Sequence, residues 1–138
     1  MLMGEYLHSV DDKGRVIMPS KFRDVLEKCI VTKGLDNCLF VYSAEEWKNL
    51  EAGIRGLPLS KARDLQRFFF AGASEASVDK QGRILIPGNL REYAMLKRDV
   101  AIIGASVRAE IWDVERWKKS NEGLTGDAIA LAMDELGF

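Results

Sequence analysis

The chain has 138 residues, of which 47% are hydrophobic and 30% charged, and its formal net charge is −1. That balance belongs to an ordinary globular chain and excludes extended disorder, which needs low hydrophobicity with a large net charge. It also excludes a uniformly basic coat, and apolar runs such as Phe68-Phe69-Phe70-Ala71 and Val100-Ala101-Ile102-Ile103 are far too short to span a bilayer.

In chain order, residues 5–10 read as a strand and residues 15–18 as a second one. Asp11-Asp12-Lys13-Gly14 between them has the signature of a tight hairpin turn, with Asp opening it and Gly in the left-handed position. Val16-Ile17-Met18 is a continuous apolar run, so both faces of that strand are expected to be covered, and Pro19 ends it. A short helix is expected over 20–27, then strands over 29–32 and 38–42. Ser43-Ala44-Glu45-Glu46 is a capping-box pattern that opens a helix running to about Ile54. Ser60 is a candidate cap for a connector helix ending near Phe70. The strand–turn–strand pattern then returns at 77–87, and Ile84-Leu85-Ile86 is again continuously apolar. A helix over 89–96, strands over 100–103 and 110–112 and a helix capped by Asp113 follow. Residues 125–136, with Ile129, Met133 and Leu136 at helical spacing, read as an amphipathic helix that needs a surface to lie on.

This order contains an internal repeat. Ser9, Val10, Asp11, Gly14, Arg15 and Pro19 recur, 68 residues later, as Ser77, Val78, Asp79, Gly82, Arg83 and Pro87. Phe22-Arg23 aligns with Leu90-Arg91 and Gly4 with Gly72; at a shift of 70, Gly34 aligns with Gly104, Tyr42 with Trp112 and Trp47 with Trp117. A unit of about 45 residues rarely stabilises itself, so the two copies are expected to share one core about a pseudo-twofold axis.

Positive charge gathers beside the two turns. Residues 13–23 carry Lys13, Arg15, Lys21 and Arg23, and residues 80–91 carry Lys80, Arg83 and Arg91, without an acid in either stretch. The duplicated Asp-x-x-x-Arg, Asp11 to Arg15 and Asp79 to Arg83, is the sharpest feature. Structurally, each Asp can accept the turn's backbone N–H groups and pair with its Arg. Functionally, it can orient a guanidinium whose planar fork suits phosphate or the O6 and N7 acceptors of guanine. A cationic hairpin tip is narrow enough to enter a major groove. Lys13, Lys21, Arg23, Lys80 and Arg91 are candidates for phosphate contact, each alternatively part of a solvated face.

Other residues point to core. Trp47 and Trp117 suit core or interface anchors, and Phe68-Phe69-Phe70 cannot all enter one core, so part of it is expected at a subunit contact. Cys29 and Cys38 read as reduced core residues, and with no basic region at the N-terminus a cytosolic setting is expected. His8 is the single histidine, which leaves a Cys/His zinc site short of ligands. No P-loop, Gly-x-Gly-x-x-Gly or Gly-x-Ser-x-Gly occurs, so neither catalytic residue, metal, cofactor nor small-molecule substrate is expected.

Met3-Gly4-Glu5-Tyr6, Asp11-Asp12-Lys13-Gly14-Arg15, the stretch from Gly34 to Leu39, the stretch from Asp79 to Pro87 and Glu110-Ile111-Trp112-Asp113 together resemble the MraZ family, with two AbrB-type swapped-hairpin modules in tandem. The resemblance implies an α+β fold, a double-split β-barrel with flanking helices. It implies modules at 5–47 and 74–117, a helical connector at 48–73 and a helical tail at 118–138. It further implies a cytoplasmic, nucleoid-associated transcriptional regulator of the division and cell-wall gene cluster. Such a protein binds repeated elements of double-stranded promoter DNA as a ring-shaped homo-oligomer, with no membrane partner. Asp11, Arg15, Asp79 and Arg83 would carry the DNA-binding signature. Two alternatives are an oligomeric protein-interaction module and an AbrB-type antitoxin. The second is disfavoured because such chains usually carry one module.

Overall fold

The computed structural model describes residues 1–137. Its eight strands are β1 (Leu2–Ser9), β2 (Arg15–Ile17), β3 (Lys28–Lys33), β4 (Leu39–Ser43), β5 (Ser74–Ser77), β6 (Arg83–Leu85), β7 (Asp99–Ser106) and β8 (Ala109–Asp113). The helices are α1 (Ala44–Arg55), α2 (Leu59–Phe69), α3 (Gly88–Tyr93), α4 (Val114–Glu122) and α5 (Gly126–Met133).

Six strands form one antiparallel sheet in the order β1-β7-β8-β4-β3-β5, and β2 pairs with β6 as a separate two-stranded ribbon. The order is symmetric under exchange of the two copies: β1 matches β5, β7 matches β3 and β8 matches β4. The first strand of each copy therefore pairs with the third of the other, Ser9 opposite Asp99 and Ser77 opposite Lys28. The fold is mixed helix and sheet, but the hydrogen bonding does not close the large sheet into a barrel, because β1 and β5 remain its edges.

Alternation of side chains sorts the sheet into two faces. One face supplies Val31, Leu39, Val41, Val100, Ile102 and Ile111 to a core that Val16, Met18, Ile84 and Ile86 of the ribbon segments close from the other side, with Phe22, Leu26 and Leu90 between. These residues come from both copies. Truncating a fully buried side chain such as Ile84 to alanine would cost about 2–5 kcal/mol. The opposite face carries an aromatic layer in which Phe40, Tyr42 and Trp112 meet Ile54 of α1 and Ala62 and Phe69 of α2.

Several local expectations change. The turns do not lie in simple hairpins: a single bridge, Val10 to Val16, closes the first loop, and β2 then leaves β1 to pair with β6. The continuous apolar runs do not have both faces covered, since Ile17 is 41% and Leu85 56% exposed. The helix expected over 20–27 is one 3-10 turn, Ser20–Phe22, and the Glu27 carbonyl accepts the Val78 amide at 2.9 Å. The helix over 89–96 stops at Tyr93, where Met95 takes a positive φ of 52°. Ser43 does cap α1, accepting the Glu46 amide at 3.2 Å. Asp113 stands at the start of α4 without capping it; its carboxylate is buried and accepts the Lys97 amide instead. Pro58 rather than Ser60 precedes α2, its carbonyl accepting the Lys61 and Ala62 amides.

The pairing also corrects the repeat by one residue. Gly104 opposes Ala109 as Lys33 opposes Leu39, so Gly104 corresponds to Lys33 and not to Gly34. The three phenylalanines all pack within the chain: Phe69 stacks on Phe40, Phe70 meets Trp47 and Phe68 meets Tyr93 edge-on. Trp117 packs on Trp112 and donates to the Glu5 carboxylate at 2.7 Å. α5 forms near the expected residues, yet Ile129, Leu131 and Met133 stay exposed.

Candidate nucleic-acid interface

Each Asp-x-x-x-Arg closes on itself. The Asp11 amide donates to the Arg15 carbonyl and the Gly14 amide to the Asp11 carbonyl, at 2.9 and 3.0 Å. One carboxylate oxygen of Asp11 accepts the amides of Lys13 and Arg15 at 3.0 and 2.9 Å, and the other accepts Nε of Arg15 at 2.8 Å. Asp79 repeats this with Gln81, Arg83 and Nε of Arg83 at 2.9, 2.8 and 2.9 Å. Gly14 and Gly82 take φ of +86° and +80°, a region closed to most side chains, which explains the glycine at that place in each copy.

The backbone N–H of Arg15 is the chief cause that holds the Asp11 carboxyl below its ordinary range, with the guanidinium adding to it; Arg83 acts on Asp79 in the same way. Because Nε is taken by the aspartate, the guanidinium is anchored at one end, leaving its terminal nitrogens for a ligand. The Arg15 and Arg83 side chains are 31% and 23% exposed.

Tertiary pairing then brings the two motifs together. In the β2–β6 ribbon Arg15 faces Leu85, Ile17 faces Arg83, and Val16 faces Ile84 across the centre. Val16 and Ile84 point into the core, so both arginines lie on the opposite, outward face with Ile17 and Leu85. Nη1 of Arg83 reaches to 4.0 Å from the Asp11 carboxylate, so one motif touches the other.

The flanking cations divide into two groups. Lys13, Lys21 and Lys80 are exposed. Arg23 and Arg91 are half-buried and occupied: Arg23 Nε donates to the Met18 carbonyl and Arg91 Nε to the Ile86 carbonyl, each at 3.0 Å. Their guanidinium groups lie over Gly82 and Gly14, the turn glycines of the opposite copy. Ile17 and Leu85, read from the sequence as core, share the arginine-bearing face. The signal for it was the alternation Arg-Val-Ile-Met and Arg-Ile-Leu-Ile, in which every second residue is on the same side.

His8 is partly buried, and burial with the nearby charge of Arg23 lowers its pKa. Burial raises the thiols of Cys29 and Cys38 to about 11 and about 12, and both are unbridged. Among the described residues no group of three or more His, Cys, Asp or Glu is placed to hold a metal, and no helix is long and apolar enough to cross a membrane.

A family model described as "MraZ protein, putative antitoxin-like" matches residues 1–68 and again 69–128, in step with the repeat. A protein of Acetivibrio thermocellus named "Transcriptional regulator MraZ" is 61% identical over 143 aligned positions, covering 100% of both chains. Proteins of the same name from Caldicellulosiruptor saccharolyticus and Alkaliphilus metalliredigens are 59% and 52% identical, again over 100% of both chains. With both halves matched by the family model and full-length relatives at this identity, the chain belongs to the MraZ family.

Proposed function

We propose that this chain is a sequence-specific regulator of transcription that binds double-stranded promoter DNA and has no catalytic activity. The observation that carries the reading is the β2–β6 ribbon, which holds Arg15 and Arg83 on one outward face, each anchored at Nε by its own aspartate. A two-stranded ribbon is of a size that the major groove admits, and a pre-oriented guanidinium is the commonest reader of guanine. The names of the relatives support the same function.

Arg15 and Arg83 contact base edges or phosphates, Asp11 and Asp79 position them, and Lys13, Lys21 and Lys80 contact the backbone. Arg23 and Arg91 add charge from behind the turns while bracing them. As a double-split barrel, the fold would use the ribbon as the tip of a scaffold common to both modules. The regulated genes are those of the division and cell-wall cluster, and the protein works in the cytoplasm on the nucleoid. One ribbon offers few contacts, so a ring of copies on spaced promoter repeats supplies avidity by making later contacts intramolecular. The exposed apolar side chains of α5 and its flanks, Leu124, Ile129, Leu131 and Leu136, support self-association. A second reading, antitoxin action, is favoured by the family's description alone.

The test is a mobility-shift titration with the promoter region of the chain's own gene against a scrambled duplex. Retardation of the first at protein concentrations that leave the second free is expected. Equal retardation of both would remove sequence specificity, and none of either would remove DNA binding.

A further inference from the structure

Ile17 and Leu85 are exposed aliphatic side chains set apart by what they face. Other strand side chains are open to solvent too, Met3 and Leu7 of β1 at 63% and 65%, but they face Ala105 and Ala101. Ile17 and Leu85 close β2 and β6, 41% and 56% exposed, while their neighbours Val16 and Ile84 at the strand centres are buried. Each stands directly across from an arginine: Ile17 opposite Arg83, Leu85 opposite Arg15. The pseudo-twofold axis relates the two pairs, so an arginine–aliphatic pair is presented twice on one face. Water alone does not call for a leucine there, whereas a ligand with both acceptor and apolar groups at close quarters does.

The major-groove edge of duplex DNA is such a ligand. Guanine offers O6 and N7 to a guanidinium, and thymine offers its C5 methyl, the apolar group of that edge. Directly opposed residues on one face of an antiparallel pair have Cβ atoms about 4.5–5.5 Å apart, close enough for the two side chains to meet the same or adjacent base pairs. We propose that Ile17 and Leu85 determine specificity by packing against thymine methyl groups beside the bases met by Arg83 and Arg15. The inference rests on the DNA-binding reading above and adds to it a second, apolar means of discrimination.

The experiment begins by enriching duplexes from a random-sequence library with the full-length protein. The best duplex, and versions in which each thymine in turn is replaced by uracil, are then titrated by fluorescence anisotropy. At one or more positions, loss of the methyl should weaken binding about three- to fivefold, the worth of one buried methyl group. Ile17→Ala or Leu85→Ala should bind the thymine and uracil duplexes alike at the position it serves. Both substitutions trim partly exposed side chains, and the uracil series leaves the protein untouched, so a folding defect cannot imitate the result. An enriched duplex indifferent to uracil at every position, with both variants binding as wild type, would overturn this inference and leave DNA binding standing. Failure to enrich any duplex would overturn both.

Discussion

Arg91 lies across Gly14, and its Nε donates to the carbonyl of Ile86, whose amide in turn donates to the carbonyl of Gly14. Arg23, Met18 and Gly82 repeat the arrangement from the other copy. Each turn is thus braced by an arginine of the opposite copy. The brace couples the shape of one tip to the packing of the other, and it turns two residues that resemble free phosphate ligands into parts of the scaffold.

Gly14→Ala should destabilise the protein. A Cβ there would meet Cζ and Nε of Arg91 at 2.8 Å and the Ile86 carbonyl oxygen at 2.9 Å, and φ is already +86°. Strain of this kind costs about 1–3 kcal/mol, and a melting temperature lower by several degrees is expected. Adding Arg91→Ala should recover only part of the loss, because the backbone strain and the contact with Ile86 remain. Melting at the wild-type temperature for Gly14→Ala would argue against the brace.

Arg15→Ala and Arg83→Ala should each weaken operator binding by about 1–3 kcal/mol, the worth of a bidentate base contact, with melting little changed. Anisotropy titration beside thermal denaturation separates the two effects. Binding of the wild-type chain should also fall steeply as salt rises, since phosphate contacts release counterions. A flat response to salt would speak against a polyanionic ligand.

Acid should loosen the tips before the sheet. The Asp11 and Asp79 carboxyls are held low by the Arg15 and Arg83 amides, so the folded state favours their charged forms. Their contribution is therefore complete above the ordinary carboxylate pKa and lost as pH falls through the depressed one. Hydrogen exchange should show the Arg15 and Arg83 amides losing protection on acidification while that of Val31, in the sheet interior, persists. Simultaneous loss at all three would mean that the whole chain unfolds first.

The thiols should be silent to a disulfide reagent near neutral pH and react only on unfolding, because burial raises Cys29 to about 11 and Cys38 to about 12 from 9.0. The sign follows: the folded chain retains protons that the unfolded chain releases. This contribution to stability is intact below pH 9 and declines as pH rises toward 11 or 12. Rapid labelling of the native protein at pH 8 would contradict the burial.

Deleting residues 124–138 should leave the melting temperature within about 2 °C, since α5 buries no side chain in the fold, while lowering the assembly mass seen by light scattering. A large loss of stability with unchanged mass would show that the segment belongs to the core.

The repeat, the turn aspartates and the turn glycines were legible because each is a local requirement: a left-handed backbone position and a carboxylate that accepts the turn's backbone N–H groups can be read from four or five adjacent residues. The strands either side are legible from apolar patterning, though β1 begins at Leu2 and β2 stops at Ile17, and β5 is announced only by the repeat because Ser-Glu-Ala-Ser carries little apolar signal. Asp113 shows why single-residue rules miss: its residue type suits a helix cap, yet its carboxylate accepts the Lys97 amide, a residue 16 positions away in the chain.

Local chemistry along the chain was enough to specify two copies of an Asp–Arg turn and the family they belong to. Which strand each turn feeds was a non-local matter. Val16 and Ile84 lose their contact with water only when β2 abandons its own hairpin for β6, and that exchange places the two arginines on one face, exposes Ile17 and Leu85 opposite them, and lays Arg23 and Arg91 across the facing turns. Burial is a property of the whole assembly of segments, so the face on which a side chain emerges cannot be read from its neighbours in the chain alone.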